Sequence, residues 1–172
     1  MAAPFVTTNW ALTFRTTESP ENTPATQVPN GSIIHSLYDR AGTMGAGLPV
    51  PASRCAFFHQ ALGGGLAATI DLTALPGTNN GVVDGSGLKV NGVHFRAATA
   101  LGADNGAAVT IVVGAANGYD LSGPAFSITL APGQEFAYMG NNATPDIAAA
   151  DCTLDMTGAN ALDGVEVSLI MG

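Results

Sequence analysis

Charge is scarce in this chain. Asp, Glu, Lys and Arg make up 10% of its 172 residues, against about 25% in an ordinary soluble domain. Only five side chains are cationic: Arg15, Arg40, Arg54, Lys89 and Arg96, spread out without a run. Neutralising phosphates takes clustered cations, so nucleic acid is not an expected partner. With 13 acidic residues and a net charge of −8, attraction to an anionic membrane is not expected either. Low charge is not matched by low hydrophobicity, since 47% of the residues are apolar. A disordered chain has the opposite balance.

Long apolar runs are missing as well. Gly, Asp or Asn interrupts each one before it reaches the ~18 residues of a membrane span. The opening residues Met1-Ala2-Ala3-Pro4-Phe5 lack the basic and apolar segments of a secretory signal, and folding in a cytoplasm is the expectation. Cysteine is limited to Cys55 and Cys152, too few for a disulfide framework. Cys152 falls in an alternating segment and reads as a buried free thiol; pairing of the two is the other option.

Turn signals and short alternating segments are abundant. Asn-Gly occurs at Asn30, Asn80, Asn91, Asn105 and Asn117, and Asp-Gly at Asp84 and Asp163, pairs suited to the positive φ angles of tight hairpins. Between them apolar residues recur with a period of two: Leu66, Ala68, Ile70 and Leu72; Phe126, Ile128 and Leu130; Cys152, Leu154 and Met156; Val165, Val167 and Leu169. That is the pattern of half-buried antiparallel strands. One segment changes phase, with Leu88 and Val90 on one parity and Val93 and Phe95 on the other. A bulge or tight turn at Asn91-Gly92 would restore a single apolar face.

A first strand is expected over residues 5–15, with Val6, Trp10, Leu12 and Phe14 on one face. Residues 16–31 are rich in Pro and Thr and poor in apolar side chains; prolines lack ladder donors, so this stretch reads as an extended arm or a long surface loop. Residues 39–53, with Gly42, Gly45, Gly47, Pro49 and Pro51, read as irregular, and strands resume at 54–60. No helix is expected beyond one turn at 144–150, where Pro145 suits a helix start. The fold class is all-β: an antiparallel sandwich of about eight to ten short strands, the jelly roll being one form of it. Residues 1–31 read as a strand plus arm or loop and 32–172 as the sandwich, a single domain overall being the alternative.

Motifs for chemistry are absent or out of context. His35, His59 and His94 stand far apart, without a metal-ligand spacing, and read as hydrogen-bonded strand residues. Ser86-Gly87-Leu88-Lys89 spells S-x-x-K, but that motif works on a helix that sets Ser and Lys on one face. Here it follows Asp84-Gly85 and leads into a strand. Gly63-Gly64-Gly65 lacks the Lys of a phosphate loop and reads as a flexible hairpin tip. Carboxylates sit in turns (Asp84, Asp104, Asp120, Asp163) or at strand ends (Asp39, Asp71, Asp151), with no pair suggesting a glycosidase. No D-x-D-x-D-G loop supports a Ca²⁺ site. No catalytic, cofactor-binding or metal-binding residue is assigned, and no cofactor is expected.

Residues 37–172 resemble a family of small all-β bacteriophage virion proteins, of accessory head or decoration type. The resemblance is carried by Asp71-Leu72-Thr73-Ala74-Leu75, by Leu88-Lys89-Val90, and by Thr110-Ile111-Val112-Val113-Gly114-Ala115-Ala116-Asn117. Ala131-Pro132-Gly133-Gln134-Glu135-Phe136 and the closing Val165-Glu166-Val167-Ser168-Leu169-Ile170-Met171-Gly172 complete it. It implies a non-enzymatic structural role in the virion. The partners it implies are further copies of the chain, as a trimer, and a major capsid protein. Two rivals stand beside this expectation. A receptor-binding or fibre-tip module would expose aromatic residues for sugar stacking, for which Tyr119, Tyr138 and Trp10 are the only candidates, Trp10 reading as core. A main self-assembling shell or tube subunit would differ from decoration in copy number.

Overall fold

The computed structural model describes residues 7–18, 33–45, 47–77 and 81–172. Two compact units are present, one formed by Thr8–Thr43 and the other holding Met44–Gly172. The smaller unit ends at Thr43 because the second strand pairs with the first.

That first pair is a two-stranded sheet of β1 (Thr7–Glu18) and β2 (Ile33–Gly45). Strand β1 therefore takes in residues 16–18 of the expected arm, and 19–32 lie outside the described residues. Residues 39–45, read as irregular from their glycines, continue β2. Gly42 has a structural reason there. A Cβ at this position would lie 2.8 Å from the Trp10 indole nitrogen, so only glycine lets the half-buried ring lie against the neighbouring strand. Thr43 Oγ1 donates to Asn9 Oδ1 at 2.9 Å beside it.

The larger unit is a β-sandwich. Its strands are β3 (Arg54–Ala61), β4 (Ala67–Asp71), β5 (Leu75–Pro76), β6 (Val82–Val83), β7 (Val90–Ala97), β8 (Val109–Val113), β9 (Ser127–Leu130), β10 (Glu135–Met139), β11 (Thr153–Gly158) and β12 (Gly164–Met171). One sheet has the order β10-β7-β12-β3 and the other β4-β11-β8-β9, while β5 and β6 form a small pair. The antiparallel pairs nest: β8 with β9, β7 with β10, β4 with β11, β3 with β12. A long hairpin rolled so that its successive pairs alternate between two sheets has this order, which is that of a jelly roll. The described residues contain no helix. In place of the expected turn at 144–150 there are isolated bridges, Lys89 to Asp146 and Ala148 to Asp151.

Alternation places the core. Val165, Val167, Leu169 and Met171 of β12 are buried, as are Val93, Phe95 and Ala97 of β7, Leu154 and Met156 of β11, and Val109 and Ile111 of β8. Phe136 lies between the layers, 6.3 Å from Phe95 and 6.0 Å from Phe126 between ring centroids. The expected phase change is a bulge. Ile170 pairs with Gly92 but Met171 pairs with Val90, so Asn91 is the extra residue, and Val90 and Val93 both reach the core. Asn91 is itself fully buried, and its side chain has partners: Nδ2 donates to Pro51 O at 2.9 Å and Gly172 O at 3.3 Å, and Oδ1 accepts from Asn142 N at 2.7 Å.

Among the described residues, the pairs at Asp84, Asn91, Asn105, Asn117 and Asp163 do not close tight hairpins, and Asn30 and Asn80 lie outside the described residues. Apart from β8 to β9 and β5 to β6, successive strands of the larger unit change sheet, so their connections need local backbone bonding rather than two-residue reversals. Asp84 accepts from Ser86 N at 2.9 Å, Asn117 takes φ +57°, and Asp163 accepts from Gly106 N and Ala107 N at 2.8 and 2.9 Å. Gly63-Gly64-Gly65 likewise passes from one sheet to the other.

Candidate functional site: the outer faces of the two sheets

Every second residue of a sandwich strand points away from the core. On the β10-β7-β12-β3 sheet, the register aligns these residues in three rows across the strands. The first row is Met139, Gly92, Ile170 and Cys55; the second Ala137, His94, Ser168 and Phe57; the third Glu135, Arg96, Glu166 and His59.

The third row is polar and closely bonded. Arg96 reaches Glu166 at 3.2 Å, Asp104 at 3.3 Å and Glu135 at 3.8 Å. The hydrogen bond that the guanidinium donates to Glu166 holds it above its ordinary pKa. Such exposed pairs contribute little to stability, but they hold the side chains in one arrangement. His94 Nε2 lies 3.1 Å from Glu135 Oε2, and His59 Nε2 donates to Ala98 O at 2.9 Å. Both histidines are thus the hydrogen-bonded strand residues expected of them; the His35 side chain lies outside what is described.

The first row is apolar and continues to Phe57, whose exposure is 66%. Gly92 brings its neighbours together: a Cβ there would lie 3.3 Å from Ile170 Cδ1 and 3.4 Å from Met139 Cε. The stripe escapes a search for alternation, yet it leaves a trace in the sequence. Cys55-Ala56-Phe57-Phe58 and Leu169-Ile170-Met171 are apolar on both parities, as strands are when covered on both sides.

The β4-β11-β8-β9 sheet presents a different face. Ala67, Thr157, Thr110 and Thr129 align across it, and beside them Thr69, Asp155, Val112 and Ser127. Thr69 Oγ1 donates to Asp155 Oδ1 at 2.7 Å, and the hydroxyls of Thr110 and Thr129 are 2.9 Å apart. Asp155 is the single charge in these rows.

A shallow open depression is lined by residues that include Asp120, Ser122, Tyr138 and Thr144. Its lining holds one carboxylate and no His, Lys or Cys beside Ser122. Among the described residues, no three His, Cys, Asp or Glu side chains are grouped to hold a metal ion. Ser86 and Lys89 lie on a turn and an isolated bridge, and Lys89 Nζ is 3.9 Å from Asp146. Tyr119, a candidate exposed aromatic, is instead completely buried: its hydroxyl donates to Pro145 O at 2.8 Å and accepts from Val90 N at 3.2 Å. Tyr138 is half-buried against the core. Cys55 and Cys152 are free thiols, and burial pushes the Cys152 thiol up in pKa.

No family model matches the chain, and no curated protein or solved structure matches it.

Proposed function

We propose that the chain is a non-enzymatic structural subunit of a bacteriophage particle, a decoration or stabilising protein that joins shell subunits through its outer faces. The observation that carries this reading is the apolar stripe from Met139 through Ile170 and Cys55 to Phe57, open on a sheet that already has a complete core beneath it. A stripe of this kind on a folded domain favours cover by another surface. Burying Phe57 alone would contribute about 1–2 kcal/mol. The hydroxyl-rich face of the other sheet costs little to dehydrate where its groups already bond one another, as Thr110 and Thr129 do. The partners proposed are further copies of the chain, as a trimer, and the major capsid protein of the particle. The site of action is then the virion, after synthesis in the host cytoplasm.

Antibodies against the purified chain, bound to gold and applied to intact particles of the phage that encodes it, test the proposal. Regular labelling of heads by electron microscopy is the expected result. Particles without label, from cells in which the protein is abundant, would overturn it. Label confined to a tail tip would favour the fibre-tip rival, and a copy number equal to that of the shell lattice would favour the main-subunit rival.

A further inference from the structure

Two long loops meet at one end of the sandwich and hold an open trough between them. Strands β8 and β9 are antiparallel neighbours in one sheet, and a hairpin loop of about two to five residues would join such strands. Residues 114–126 join them instead. A connection of that length without a strand of its own is commonly a binding loop. The second loop is 140–152, between β10 and β11. The two are tied together: Cys152 N donates to Asn117 O at 2.7 Å, and the Tyr119 hydroxyl to Pro145 O at 2.8 Å. Thr144 Oγ1 anchors the second loop to Val90 O at 3.0 Å. The trough is thus built before any ligand arrives. It begins beside Asp120, Tyr138 and Thr144 as a hollow of about 480 Å³. Past Ser122 and Gly123, which line both parts, it continues into a hollow of about 400 Å³ beside Pro124 and Ser127. Gly123 keeps the passage clear, since a Cβ there would project into open space. The polar groups of the trough are also uncommitted. Several carboxylates elsewhere are engaged: Asp71 accepts from Thr73, Asp84 from Ser86, Asp155 from Thr69 and Asp163 from Gly106. Asp120 is half-buried, yet among the described residues it has no hydrogen-bond or ion-pair partner, and neither has the Tyr138 hydroxyl.

We infer that this trough binds a neutral saccharide chain, a function beyond the structural role and independent of it. Saccharide hydroxyls both donate and accept. Asp120 can accept from them, and the hydroxyls of Tyr138 and Ser122 can do either. Tyr138 also brings an aromatic ring, on which the C–H face of a sugar can rest. Other ligand classes fit less well. Among the described residues no cation lines the trough, and Lys89 near its rim is 3.9 Å from Asp146, so a phosphate or an acidic glycan lacks a partner. One carboxylate is too few for a metal ion. Leu121 and Phe126 turn into the core, 1% and 8% exposed, which leaves no apolar floor for a lipid. A Lys or Arg side chain could use Asp120 but has no acceptor for the hydroxyls of Tyr138 and Ser122. An open trough covers only one side of its ligand, so a single site binds weakly.

The test is saturation-transfer difference NMR of the full chain, which detects weak binding. The probes are neutral trisaccharides of glucose, galactose, mannose, rhamnose and N-acetylglucosamine, with sialyllactose and hexalysine as acidic and cationic comparisons. Transfer to at least one neutral trisaccharide is expected. Its affinity should fall about tenfold or more in Asp120→Ala and in Tyr138→Ala, with unchanged circular dichroism. Because Tyr138 also packs on the core, Tyr138→Phe keeps that packing and should weaken binding by a smaller factor. No transfer to any neutral trisaccharide would overturn the inference, as would binding left intact by both Asp120→Ala and Tyr138→Phe. Transfer to sialyllactose alone would overturn it too. Hexalysine binding that Asp120→Ala abolishes, without saccharide binding, would assign the trough to a basic peptide instead. Gold-labelled heads together with no saccharide binding would leave the structural-subunit reading in place and remove this one. Saccharide binding by a chain that never labels heads would do the reverse.

Discussion

The side-chain amide of Asn105 brackets the backbone of Gly164: Nδ2 donates to the Gly164 carbonyl at 2.8 Å, and Oδ1 accepts the Gly164 N–H at 3.1 Å. One side chain thus imitates a strand neighbour where β12 begins. Asn105 is 5% exposed, so water does not readily replace it. Asn105→Ala removes the side-chain acceptor from a buried N–H and leaves the carbonyl with only the Ala98 N–H at 3.3 Å. The expected cost is about 1–3 kcal/mol, seen as a Tm lower by about 3–10 °C for a chain of this size.

Tyr119→Phe should destabilise the fold at neutral pH and alter its response to alkali. The lost hydroxyl deprives Pro145 O and Val90 N of a buried partner, costing about 1–2 kcal/mol. Burial raises the Tyr119 pKa, and the bonds from Thr144 and Val90 only partly offset it. The folded state therefore keeps the phenolic proton at a pH where the unfolded chain, at about 10, releases it. This contribution to stability is complete below the unfolded pKa and is lost as pH rises through the folded one. Denaturant titrations from pH 8 upward should show a shallower alkaline loss in the Phe variant.

Leu66→Gly and Leu66→Asn should stabilise the monomer fold. Both residues accept the φ of +56° found here at lower cost than leucine. A gain of up to about 1 kcal/mol is expected, or about 2–4 °C in Tm. A fall in Tm would mean that the partly covered leucine side chain outweighs the relief of backbone strain.

The two thiols should differ in reactivity. Cys55 stands in the outward apolar row, while Cys152 is 5% exposed, with its pKa raised first by burial and then by Asp71 and Asp151. Native protein at neutral pH should release one equivalent in a thiol-disulfide exchange assay, and the second only on unfolding. No free thiol in unfolded, unreduced protein would show a disulfide and contradict the structure.

The strands were legible from local pattern. The alternation of Val165, Val167 and Leu169, and of Leu154 and Met156, matches their burial because the period of two is a property of the backbone itself. The parity change between Val90 and Val93 located the bulge for the same reason. Glycine-rich β2 was misread over 39–45, since a glycine such as Gly42 is dictated by a ring on another strand. The burial of Tyr119, a candidate aromatic for the receptor-binding rival, was not legible because its hydroxyl partners, Pro145 and Val90, are 26 and 29 residues away.

By itself, the sequence determined an all-β chain of low charge, with most core residues placed by parity. Only the tertiary structure decided which strands pair, and so that β3, the first strand of the sandwich, lies beside β12, the last, in one sheet. It also decided that Met139, Ile170, Cys55 and Phe57 share one open face, and that Asp120, Ser122 and Tyr138 line one trough. Alternation is set within a few residues of chain. A surface is assembled by pairing residues a hundred positions apart, and no local pattern specifies that partner.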